Sequence, residues 1–272
     1  MDKRVMCFTH DPQGRKLAHP EVDCEGPYFP MYRAWFKQGI KKAINFQSQK
    51  VCFSKLIFPA HISSNHIWHE FWENSKCKQT FNWRTRGSPL FAEYRGAVLS
   101  HFGLSDESNR IDKNKVVITY NIRHVKPFNT EPIRDRTATN RDAIIAMLKE
   151  FEAVEGLDVV VTTVDLATIP FREQVAFVHN TSVFVGFHGA GLTQAMFMST
   201  ARPTALVELF PLGNIQRGCE NIAVYSGVEY YFWRNKDSNK ETKGGGTEVD
   251  IAAVREQVRL ALESIKKRQQ KI

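Results

Sequence analysis

The chain has 272 residues, 42% hydrophobic and 24% charged, which is the make-up of a globular protein with one large or two modest domains. Its 37 basic and 29 acidic residues leave a net charge of +8, which favours anionic partners. No Lys/Arg stripe or nucleic-acid motif is present, which argues against a nucleic-acid-binding domain. The five cysteines contain no CxxC pair, which excludes a zinc ribbon or a thioredoxin-like site.

Residues 1–48 read as irregular, because Pro12, Pro20, Gly26, Pro27 and Pro30 interrupt every period. The opening MDKRVMCFTHDPQGRK lacks the roughly 7–15 apolar residues of a signal core, and no run approaches the roughly 18 of a membrane span. The expectation is a soluble chain. A strand is expected at 51–58. The histidines at 61, 66 and 69 invite a metal reading, but Glu73 stands where HExxH needs its second histidine, so no metal site is assigned. Residues 88–104 read as a helix, with Ser88 as N-cap, Pro89 in the first turn and Gly103 as the stop.

From Lys115 the pattern is regular. Strands are expected at 115–120, 158–164, 182–187, 204–210 and 228–233. Helices are expected near 140–154, at 171–179, from about Leu192, and at 215–227. Strands alternating with helices, and apolar on both faces, imply a doubly wound parallel α/β sheet. The Lys- and Gly-rich stretch 236–247 reads as a linker to a C-terminal amphipathic helix carrying Ile251, Val254, Val258 and Ile265 on one stripe.

The segment VFVGFHGAGLTQAMFM (183–198) carries the functional signal. Its glycines follow a buried strand, at the sheet end where α/β proteins bind ligands. Two readings stand: the glycines only permit a tight turn, or the turn cradles a phosphate with backbone N–H groups and the Thr193 hydroxyl. The spacing matches neither GxGxxG nor GxxxxGK[ST], which removes support for NAD or a P-loop nucleotide. His188 can donate to phosphate or move a proton. Glu208 lies 19 residues after Gly189, about where an acid meets a ribose hydroxyl, and Arg123 ends a neighbouring strand within reach of a phosphate. No GxSxG is present for a serine hydrolase.

The run VGFHGAGLTQAMFM followed by ALVELFP resembles the family 61 glycosyltransferases, as do Gln174, Cys219 and GVEYYFW (227–233). The resemblance implies an inverting enzyme of GT-B type. Its Rossmann-like donor lobe would span 113–235, with a reduced N-terminal, acceptor-side lobe at 1–112 and a linker and C-terminal helix at 236–272, the helix packing back across the lobes. It implies transfer of a sugar, N-acetylglucosamine or a pentose, from a UDP-sugar to a protein or glycan hydroxyl, in the lumen of the endoplasmic reticulum or Golgi. It implies no required cofactor and no essential metal. Donor contacts would come from Arg123, His188, Gly189, Ala190, Gly191, Thr193 and Glu208, with His188 as the catalytic candidate and the general base unplaced. Arg136 and Asn140 fit a family Arg and Asn only after a longer loop, 124–135. The short N-terminal part leads to the expectation that this chain binds donor better than it turns it over. A non-catalytic nucleotide- or glycan-binding module is the alternative.

Overall fold

Runs of apolar residues spaced by helices build the centre of the protein. In the computed structural model, residues 5–7, 40–42, 87, 89–104, 115–123, 136–154, 156–213, 216–242 and 246–270 are described. Two three-residue strands, β1 (Val5–Cys7) and β2 (Ile40–Lys42), pair in parallel. Helix α1 (Pro89–His101) follows, and Gly103 takes a φ of 69° just beyond it, as its role as a stop requires. Then come β3 (Lys115–Asn121), β4 (Thr137–Ala138), α2 (Arg141–Lys149), β5 (Asp158–Val164) and α3 (Phe171–His179). The chain continues through β6 (Val183–Phe187), a 3-10 segment (Ala190–Phe197), β7 (Ala205–Phe210), α4 (Gly218–Tyr225), β8 (Glu229–Arg234), β9 (Gly246–Thr247) and α5 (Ile251–Gln269).

Five strands form one sheet in the order β5-β3-β6-β7-β8, and every pairing in it is parallel. Side chains alternate between its faces. Val183, Val185, Val207 and Leu209 pack under α2 and α5 on one face. Phe184 and Leu206 pack against α3, the 3-10 segment and α4 on the other. Fully burying each such side chain contributes roughly 1.5–3 kcal/mol, so covering both faces dominates the stability of this layered unit. On α5, Val254, Val258 and Ile265 are buried and Ile251 packs at the margin, and Asp250 caps the helix by accepting from the Ala253 N–H at 3.0 Å. Helix α1 joins a third cluster, in which Val98, Leu99 and Phe102 meet Phe171, Val175 and Phe197.

The order decides where a ligand can sit. From β3 the chain moves outward to β5, then returns across β3 to β6 and proceeds the other way through β7 and β8. Crossovers on either side of the β3–β6 junction therefore leave on opposite faces, and a crevice opens at the carboxyl ends of these two strands. Asn121 of β3 pairs with Gly186 of β6, so the glycine turn begins at that junction.

Several expectations need correction. Residues 1–48 are not wholly irregular, because β1 and β2 pair; strands of three residues are too short to show a period. The expected helix from Leu192 is a 3-10 segment from Ala190, in which the Thr193 hydroxyl donates to the Ala190 carbonyl at 2.6 Å and competes with longer-range backbone bonds. The helix at 140–154 turns 3-10 after Lys149. The described parts of the expected linker, 236–242 and 246–247, are held by the fold. Glu241 accepts from Leu212 N–H, Asn235 Nδ2 and Thr247 Oγ1, and β9 pairs with β4. Ser88, strand 51–58, His61, His66, His69 and loop 124–135 lie outside the described residues.

Candidate functional site

Strand β6 continues one residue past Phe187, where the His188 N–H donates to the Leu209 carbonyl at 2.8 Å. That bond sets the His188 side chain beside the carboxyl end of β7. Its Nδ1 lies 2.5 Å from Glu208 Oε1 and its Nε2 2.6 Å from Gln216 Oε1. The ring stacks on Phe210 with centroids 5.1 Å apart. The second Glu208 oxygen accepts from the Tyr230 hydroxyl at 2.7 Å. Glu208 is 0% exposed and His188 4%, so neither meets open solvent. A buried carboxylate is costly unless its oxygens are satisfied, and here both are. Glu208 faces His188 and Tyr230, with each of its oxygens in one hydrogen bond.

The glycines make room for side chains. A Cβ on Gly189 would fall 2.2 Å from Arg123 Nη1, and its φ of 151° is one that residues with a Cβ rarely adopt. A Cβ on Gly191 would fall 2.8 Å from Asn121 Nδ2. Both glycines are therefore required sterically, because side chains occupy the space a Cβ would take. What the glycines admit is also informative, because Arg123 Nη1 and Arg136 Nη1 both donate to the His188 carbonyl, at 3.3 and 3.4 Å. Two guanidinium groups converge on one backbone oxygen at the sheet's switch point.

Beside them lies a cavity of about 360 Å³ lined by Tyr120, Arg123, Thr137, Thr139, Asn140 and Arg141 among others. The first turn of α2 forms part of its wall. Asn140, at the N-cap position, does not cap the helix with its side chain. It instead donates to the Val249 carbonyl at 2.8 Å and accepts from the Val249 N–H at 2.9 Å, which staples the start of α2 to the segment before α5. The N–H groups of a helix's first turn have no partner within the helix and carry partial positive charge. Asp142 also lines the cavity, 3.6 Å from the Arg141 guanidinium, and the remaining hydroxyls, the Arg123 guanidinium and the helix N-terminus suit an anion with several oxygens. Tyr120 stays protonated here, since burial pushes its pKa up against the smaller opposing pull of Arg141.

Among the described residues, His188, Glu208 and Cys219 bring ligand-type atoms within 4.8 Å of one another. Burial first, and the Glu208 carboxylate second, push the Cys219 thiol well above its ordinary range. The neutral thiol, a weak metal ligand, lies 3.9 Å from the Gly189 carbonyl. With Glu208 joined to His188 and accepting from Tyr230, the three form a buried hydrogen-bonded cluster.

The structure thus brings Arg123, His188, Gly189 and Glu208 together around one turn, with Ala190 exposed, and Gly191 and Thr193 half-buried, just beyond it. Arg136, Gln216 and Tyr230 complete the arrangement, and sequence reasoning did not place them in it. Arg136 had a signal, its position upstream of Asn140. Tyr230 and Gln216 had none, because their contacts arise from strand register and from the turn after β7.

Residues 18–207 match the family model described as Glycosyltransferase 61. The EGF domain-specific O-linked N-acetylglucosamine transferase of Drosophila melanogaster is 25% identical over 215 residues, covering 78% of this chain and 36% of the relative. The protein of that name from Mus musculus is 26% identical over 190 residues, covering 70% and 32%. That of Xenopus laevis is 29% identical over 153 residues, covering 56% and 26%. The chain spans about a third of the length of the first two relatives. The matched region runs through β3, β5, β6 and the glycine turn and ends in β7.

Proposed function

The chain belongs to the glycosyltransferase 61 family, and from that premise we propose that it binds a UDP-sugar at the β3–β6 junction and transfers the sugar to a protein or glycan hydroxyl. The carrying observation is the convergence of Arg123 and Arg136 on the His188 carbonyl beside a polar cavity at the start of α2. In this reading the two arginines, the turn at Gly189, Ala190 and Gly191, and the first turn of α2 hold the diphosphate. Thr193 adds a hydroxyl at the edge of the turn. N-acetylglucosamine is the preferred sugar, by the names of the similar proteins.

In the proposed step the acceptor oxygen attacks the anomeric carbon from the face opposite the phosphate. The carbon–oxygen bond to phosphate breaks, and its electron pair leaves with UDP. The arginines stabilise the charge that develops on the diphosphate, an effect that grows in the transition state. His188 Nε2 reaches a ligand by exchanging its Gln216 contact. Glu208 and Tyr230 then hold the ring in place, so Glu208 acts as a positioning residue. The acceptor proton passes to a base not among these residues. No metal or other cofactor takes part in this reading.

One observation favours a second reading, a non-catalytic nucleotide- or glycan-binding module: both His188 ring nitrogens already have protein partners. The test compares UDP affinity with transfer of labelled N-acetylglucosamine to folded EGF-like domains. Transfer that disappears in Arg123→Ala supports the enzyme; UDP binding without transfer supports the module; binding of neither sinks both. We place the protein in the lumen of the endoplasmic reticulum or Golgi by family resemblance. No helix among the described residues is long and apolar enough to cross a membrane.

A further inference from the structure

The amino end of the sheet carries a motif of its own. Asn180, Thr181 and Ser182 connect α3 to β6, and Asn180 is the chain's only asparagine in an Asn-X-Ser/Thr acceptor sequence. The three residues differ sharply in exposure. Asn180 is exposed at the C-cap of α3, where its Nδ2 donates to the Ala176 carbonyl at 3.0 Å. Thr181 is 0% exposed and Ser182 1%. The Thr181 hydroxyl lies 2.7 Å from that of Thr119, and Ser182 Oγ accepts from the Val117 N–H at 3.1 Å. Val117 lies near the start of β3, so this corner is the pole opposite the glycine turn. Strand β6 has five residues, which at about 3.3 Å each puts roughly 16 Å between the corner and the turn.

We propose that Asn180 carries an N-linked glycan, attached before α3 and β6 form. This inference rests on the lumenal placement proposed above and on nothing in the donor site. In the transfer, Asn180 Nδ2 attacks the anomeric carbon of a lipid-linked oligosaccharyl diphosphate. A carbon–nitrogen bond forms, and one Nδ2 proton passes to a base of the transferring enzyme. The sugar–phosphate bond breaks, and its electron pair leaves on the lipid diphosphate. The second Nδ2 proton stays and keeps a donor for the Ala176 carbonyl. A glycan is bulky and solvated, so it requires a surface position, which Asn180 has. Recognition also reads the hydroxyl at the third position, and the burial of Ser182 withdraws that hydroxyl once the chain folds. Folding therefore closes the acceptor sequence and leaves its asparagine outside. The glycan departs from the end of the sheet away from Arg123 and Arg136, which keeps the proposed donor site open.

The test expresses the full chain in mammalian cells behind a cleavable signal sequence, with a C-terminal acceptor tag that reports lumenal entry. Peptide-N-glycosidase digestion and tandem mass spectrometry then read each occupied site as an asparagine converted to aspartate. Asn180 should be occupied in the parent and in Ser182→Thr. Occupancy should vanish in Asn180→Gln and in Ser182→Ala, and because attachment precedes folding, neither loss depends on whether the variant folds. A modified tag beside an unmodified Asn180 would overturn the proposal and leave the lumenal reading standing. The native protein found unmodified in the cytosolic fraction of its own cells would overturn both. Purified folded chain given to solubilised oligosaccharyltransferase should stay unmodified. Modification of that folded chain to the extent of the nascent one would overturn the order of events. UDP should bind the glycosylated chain and Asn180→Gln equally, and weaker binding to the glycosylated chain would overturn the separation of glycan and donor site.

Discussion

Two groups of polar side chains meet at the glycine turn, and they are built in opposite ways. Towards β7 and β8, His188, Glu208 and Tyr230 are joined atom to atom, and Glu208 is wholly buried. Towards β3 and α2, Arg123, Thr139 and Arg141 line an open cavity. Both groups stand at carboxyl ends of strands in one parallel sheet. The difference separates the two sides: the closed group fixes the turn, and the open group is the side proposed to meet a ligand. Changes on the closed side should register in stability first, and changes on the open side in affinity first.

Glu208→Ala is the severest break on the closed side. It strands the Tyr230 hydroxyl and one His188 nitrogen in the interior, and each buried polar group left unsatisfied costs about 1–3 kcal/mol. Urea denaturation should show that loss, and the isosteric Glu208→Gln a smaller one. An alanine variant as stable as the parent would mean the cluster holds nothing. Gly189→Ala crosses the divide, since its Cβ collides with Arg123 Nη1 at 2.2 Å in a backbone conformation that alanine rarely adopts. It should lose about 1–3 kcal/mol of stability and UDP affinity with it.

Arg123→Ala is the corresponding change on the open side. UDP affinity should fall by about 1.5–3 kcal/mol, the worth of a hydrogen bond to a charged group, with little change in denaturation midpoint. A shift in stability without a shift in affinity would reverse the assignment of the two sides.

The closed side also carries a signature in pH. Burial, then Glu208, raises the pKa of both Cys219 and the Tyr230 hydroxyl. A group whose pKa is raised on folding contributes stability that is fully present below its unfolded value and lost as pH climbs above it. Melting temperature should therefore decline above about pH 8.5 through Cys219 and more steeply above about pH 10 through Tyr230. Cys219→Ala should remove the earlier part of that decline. The smallest effect belongs to neither side: Arg259, paired with Glu256 and Glu263 on the solvent face of α5, should be replaceable by alanine without a measurable change in melting temperature.

The parallel sheet was legible because strands buried on both faces are nearly continuous apolar runs, as ALVELF shows. The turn was legible because three glycines end such a strand. Glu208 stood out as a carboxylate inside an apolar run, yet its partners did not. Tyr230 reaches it from the next strand, and nothing in GVEYYFW marks which tyrosine faces inward. Stretch 236–247 was misread because its lysines and glycines look like a linker. Glu241 and Thr247 tie it down through contacts that only the folded chain creates.

The proposed donor site puts a nucleotide diphosphate at the β3–β6 junction. A crystal structure of the chain with UDP tests it most directly. The diphosphate oxygens should lie within about 3 Å of the Arg123 and Arg136 guanidinium groups, against the turn at Gly189 to Gly191. UDP bound with its diphosphate away from both arginines, while the turn keeps the geometry described, would contradict it.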